Sequence, residues 1–158
     1  MIVATMILIL SAAMFFFYIQ ATCQKILRRQ FEREYFRSIA SANRLEFLAL
    51  RESLRETGAA IDYARLRELL ECDFLALTYL LRNAANVHRR YSVEERLLML
   101  YFHWGCLSLA VRRLLKLGES RVILTLTSIL QYFANVVGQR VETLRLATAT
   151  ASGYIVKS

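Results

Sequence analysis

No charged side chain occurs between Met1 and Gln24, and the residues that follow open with Lys25, Arg28, Arg29, Arg33 and Arg37. As a helix, Ile2 to Gln24 would run about 34 Å, against a bilayer hydrocarbon core of about 30 Å. Its strongly apolar side chains, among them Ile7 to Leu10 and Phe15 to Phe17, favour insertion by roughly 3 to 6 kcal/mol. The stretch therefore reads as a transmembrane anchor over residues 1–24 whose partner is membrane lipid. Lys and Arg next to a span are retained in the cytoplasm, so the expected topology is single-pass, with the N-terminus outside and the rest of the chain cytoplasmic. A cleaved signal sequence is the competing reading. It would want basic residues ahead of the apolar run and a small-x-small cleavage site, whereas Gln20-Ala21-Thr22-Cys23 matches a lipobox only at its cysteine.

Three cysteines, Cys23, Cys72 and Cys106, cannot all pair and form no C-x-x-C, which suits a reducing compartment. The formal net charge of +8 and the pI near 9.8 favour anionic surroundings. Lys25, Arg28, Arg29, Arg33 and Arg37 are the candidate contacts to anionic lipid, in a basic juxtamembrane segment, 25–40. Arg82, Arg89, Arg90 and Arg96 would form a second basic patch, diluted by Glu94 and Glu95, which keeps nucleic acid or another polyanion as a weaker alternative partner.

The chain has no proline and five glycines, and its apolar residues recur at spacings of three and four. The fold class expected is all-α, an N-terminal transmembrane helix followed by a cytoplasmic bundle of about four helices. Ile26, Leu27, Phe31, Tyr35, Phe36 and Ile39 keep helical spacing, so the anchor helix is expected to continue to Ser41–Asn43. A helical domain then fills 41–147. Leu45 to Arg55 forms a short amphipathic helix stopped at Thr57-Gly58, and Asp62 caps a long helix to about Arg90. Ser92-Val93-Glu94-Glu95 is a capping box that opens a helix to about Leu117, before Gly118. Glu119 or Ser120 opens a last helix that fades at Ala147, leaving 148–158 as a flexible tail.

Two later stretches compete for the membrane. Leu97 to Val111 is uncharged but short for a span, and Val122 to Gln139 is long enough but amphipathic. If both crossed, Arg112, Arg113, Lys116 and Arg121 would lie outside, against the positive-inside tendency, so buried helices are preferred to a three-span protein. An ungapped match of residues 77–87 to 126–136 aligns Asn86 with Asn135, at a level chance alone supplies in so Leu- and Ala-rich a chain.

Catalytic signatures are missing. The sequence holds no G-x-S-x-G, no P-loop, no G-x-G-x-x-G and no Glu-x-x-His. His103 and Cys106 share a helix face, but two ligands make no metal site, and no cofactor is expected. Asp73, set among apolar residues, is expected to pair with a neighbouring arginine rather than to do acid-base work. The sequence thus assigns no catalytic, metal or cofactor residues and points to an interaction or scaffolding module, not an enzyme. Its candidate partner face is the uncharged polar side of the last helix: Thr125, Ser128, Gln131, Tyr132, Asn135 and Gln139. Such groups are desolvated against a protein partner or a second copy more cheaply than charges. The alternative is that this face is internal, with Asn135 hydrogen-bonded inside the bundle.

Overall fold

The computed structural model describes residues 2–29, 31, 34–56, 63–83, 91–115 and 120–155. All regular structure among them is helical: α1 (Ile2–Leu27), α2 (Phe36–Ala42), α3 (Phe47–Glu56), α4 (Tyr63–Asn83), α5 (Val93–Leu114) and α6 (Ser120–Ile155). Five helices follow α1 rather than four, because the neck, the segment that joins Leu27 to Phe36, breaks where helical spacing alone predicts continuation.

α6 is the trunk, and each of the other helices packs on it. Its stripe of Ile123, Leu126, Ile129, Leu130, Phe133, Ala134 and Val137 is buried. The helix is long and apolar enough to cross a membrane, yet 61% of its most apolar window is covered by the rest of the chain. Neighbouring helices solvate that surface, so its hydropathy is accounted for by a core. Phe74 of α4 stacks on Phe102 of α5 at 4.1 Å and leans on Phe133 of α6 at 6.0 Å, which closes the centre. α6 stays helical through Ile155, past Ala147, where the small and hydroxylated residues suggest fraying.

α1 divides into two parts. From Val3 to Phe17 its large apolar side chains remain exposed. Its C-terminal half belongs to the core: Cys23 is 0% exposed, and Ile19, Ile26 and Leu27 pack beside it. The two parts meet where Phe16 stands edge-on to Trp104 of α5, with ring centroids 4.8 Å apart.

Buried polar side chains close the helix ends. The neck does not continue α1: it turns after Leu27, Phe31 folds inward to meet the Tyr132 ring at 5.4 Å, and α2 begins afresh at Phe36. Asn135 makes that new start. Its Oδ1 accepts the amides of Tyr35 and Phe36, each at 2.8 Å, from α6. These are orphan donors of a helix N-terminus, and Tyr35 itself supplies no side-chain cap. α2 lies so close to α6 that a Cβ on Gly138 would collide with Cβ of Tyr35. Asp73 does the same for α3, its Oδ2 accepting from Glu46 N at 3.0 Å and Phe47 N at 2.8 Å. The expected arginine partner of Asp73 is replaced by these two backbone amides. Burial raises the Asp73 carboxyl above the usual range; the two amides act the other way, and Glu46 adds to the rise.

The turn between α2 and α3 is a Schellman motif. Leu45 N donates to Ala40 O at 2.9 Å and Arg44 N to Ser41 O at 3.4 Å, with Arg44 at φ 52°, a left-handed position that favours glycine. The Ser92–Glu95 capping box forms as the sequence predicts. Arg140 of α6 reinforces it, donating to the Glu95 carboxylate and, at 2.8 Å, to the Leu81 carbonyl near the end of α4. The expected stops at Thr57-Gly58 and Gly118 and the expected N-cap at Asp62 lie outside the described residues, as do Asn86, Arg89 and Arg90.

Candidate functional site

The turn after α1 leaves a cleft of about 440 Å³ between the neck, α3 and α6. Arg28, Arg29, Phe31 and Glu34 form its neck wall, Arg51 comes from α3, and Ser128, Gln131, Tyr132 and Asn135 form the floor on α6. Two sets of residues that the sequence treats separately, the basic flank and the polar face of the last helix, therefore meet in one place. Lys25 and Arg37 point elsewhere: both are exposed, and the Arg37 guanidinium lies 5.8 Å from the centre of its neighbour's ring, Phe36. Arg33 lies outside the described residues.

The polar face of α6 is not a free surface along its length. Asn135 is 3% exposed and occupied by the α2 amides, and Tyr132 is also buried, its hydroxyl donating to Glu94 Oε2 at 3.2 Å. These two residues take internal places, as the alternative reading of this face has it, with the neck and α2 packed over them. Gln131 accepts from Arg51. Thr125 and Ser128 are half-buried and return their hydroxyls to the Arg121 and Leu124 carbonyls, and Gln139 is exposed.

Burial pushes the Tyr132 phenol up to about 12, helped by the Glu94 charge and by the hydrogen bond the hydroxyl gives it, and opposed by Arg29. The phenol is therefore neutral at physiological pH and serves as a donor. Arg29 meets the same Glu94 oxygen at 3.5 Å, so the neck, α5 and α6 are joined at this corner through one carboxylate. His103, read from the sequence beside Cys106, is exposed, and its Nδ1 pairs with the Met99 carbonyl one turn back. The sequence singles out the members of the cleft except Glu34 and Arg51; Arg51 stands on an otherwise ordinary charged helix, 80 residues from Gln131, and carries no local signal. No family model, curated protein or solved structure matches the chain.

Proposed function

We propose that the protein is a membrane-anchored helical interaction module, held by α1 with its N-terminus outside, whose bundle presents a basic cleft to partners at the cytoplasmic surface. The observation that carries this reading is the division of α1. Val3–Leu27 is long and apolar enough to span, and none of its most apolar window is covered by the bundle. Its exposed part, Val3 to Phe17, is an apolar rod of about 22 Å that needs a solvent other than water. The C-terminal half of the same helix is built into the core through Cys23, with Ile19, Ile26 and Leu27 packed beside it, which favours a retained anchor over a signal that is removed. Lys25, Arg28 and Arg29 at its end favour the N-out orientation. Binding, by a protein partner or a second copy, is the role assigned to the bundle, not catalysis.

Alkaline carbonate extraction of membranes carrying the full chain tests the anchor: retention in the pellet is expected, and release into the supernatant refutes it. Cys72 is exposed on α4, so an impermeant maleimide tests the orientation without any substitution. Labelling only after permeabilisation is expected, and labelling of Cys72 in intact cells refutes the cytoplasmic placement.

A further inference from the structure

The polar groups left over in the cleft are nearly all donors. Asn135 spends Oδ1 on two amides, and although it is 3% exposed and lines the cleft, its Nδ2 donates to no described residue. Gln131 spends Oε1 on Arg51, and its Nε2 likewise donates to no described residue. The guanidiniums of Arg28, Arg29 and Arg51 add more donors than their present bonds use, since each carries five. Against them stand the Glu34 carboxylate on the neck wall and the Ser128 hydroxyl. A buried amide donor without a partner costs free energy that a ligand acceptor would recover. A pocket with three arginines and two amide donors matches a compact anion rich in oxygens, and guanidinium forks match phosphate in particular.

We propose that this cleft is a phosphate-binding site, formed by Arg28, Arg29 and Arg51 with the amides of Gln131 and Asn135. The phosphate comes either from an anionic lipid headgroup or from a free phosphate. The lipid source rests on the anchor reading, because only a spanning α1 brings its C-terminal end to headgroup level. Arg51 separates this site from diffuse attraction by the neck, since it sits on α3 and reaches the cleft only through the fold.

The test titrates the full chain in phosphatidylcholine nanodiscs with short-chain phosphatidic acid, and separately with inorganic phosphate. Saturable binding is expected, and Arg51→Gln and Arg28→Gln each weaken it about tenfold or more, the loss of a charge-assisted hydrogen bond. Lys25→Gln removes a basic charge outside the cleft and leaves binding unchanged. Tighter binding of phosphatidic acid than of inorganic phosphate identifies a headgroup site, and equal binding identifies a free-phosphate site. The proposal is overturned if neither probe saturates, if folded Arg51→Gln and Arg28→Gln bind like the parent, or if Lys25→Gln weakens binding as much as they do. Should the chain stay soluble outside the discs, the anchor reading falls, while the inorganic phosphate titration still decides the site.

Discussion

Asn135→Leu tests whether one amide on α6 sets the path of the neck. The substitution keeps a similar volume and removes the acceptor of two hydrogen bonds of 2.8 Å, to Tyr35 N and Phe36 N. Each orphaned amide costs about 1–3 kcal/mol when no water replaces the acceptor. Because Asn135 borders an open cleft, water can reach one side of the site, which places the expected total near the low end, about 2–3 kcal/mol. Asn135→Asp keeps an acceptor in the same place, and Arg28, Arg29 and Arg51 line the same cleft and offset its charge, so it should cost less. Urea unfolding of the full chain in mild detergent measures the difference, and hydrogen exchange at the Tyr35 and Phe36 amides localises it. The Leu variant is also expected to admit trypsin sooner at Arg28 and Arg29, as α2 loosens from α6. If Asn135→Leu unfolds within about 0.5 kcal/mol of the parent, the range of an ordinary surface change, or protects both amides equally, the cap is not what fixes α2.

Asp73→Leu, which strips the α3 amides of their acceptor, should cost about 2 kcal/mol or more in the same unfolding assay. Since burial raises the Asp73 carboxyl, the folded state holds its proton longer than the unfolded chain does. That contribution is full below about pH 4, the unfolded value, and is lost as pH rises through the folded one, a slope that Asp73→Asn should remove from the pH–stability curve. Arg140→Met leaves Glu95, with its side chain 4% exposed, without its ionic partner and should destabilise by about 3–5 kcal/mol; Arg140→Met with Glu95→Gln, which keeps a capping-box residue, should recover much of the loss in a double-mutant cycle. Arg44→Gly relieves a left-handed φ and should raise the unfolding midpoint by up to about 1 kcal/mol of stability, whereas a loss would show that the arginine side chain matters more than the backbone. Trp104, the single tryptophan, touches Phe16, which lies about 12 Å along α1 from Gln24; with α1 spanning to Gln24 this edge of α5 is sunk into the bilayer, so its emission should be quenched by brominated acyl chains, and quenching by aqueous iodide instead would place the contact outside the bilayer.

What the sequence discloses is what neighbouring residues decide. Ser92 and Glu95 cap each other across three positions, so the start of α5 is legible to the residue. The helical class and the core stripe of α6 follow from spacing in the same way. The neck is misread because Phe31, Tyr35, Phe36 and Ile39 are spaced as a helix spaces them, yet Phe36 is buried and the other three half-buried from a broken backbone whose stabilising acceptor lies 99 and 100 positions away. Asp73 shows the same limit: an apolar environment is visible around it, but not that the amides of Glu46 and Phe47 come to meet it across 26 and 27 positions. The polar face of α6 is legible as unusual, since it lacks charge, but its cause is divided. Part is covered by α2 and the neck, and part floors a cleft completed by Arg51.

A chain without proline has few local means of stopping a helix, and glycine stands at neither break on the two sides of α2. Here the stop at Ala42 depends on a strained arginine, and the starts of α2 and α3 depend on side chains from α6 and α4. Those two helix starts therefore exist only once the trunk is in place, and α2 and α3 are tertiary consequences of α4 and α6 rather than independent elements. The same dependence couples the neck to the cleft. Asn135 holds the first residues of α2 with its oxygen and lines the same cleft as Arg28, Arg29 and Arg51, so whatever fills that space acts on the residue that sets how α1 joins the bundle.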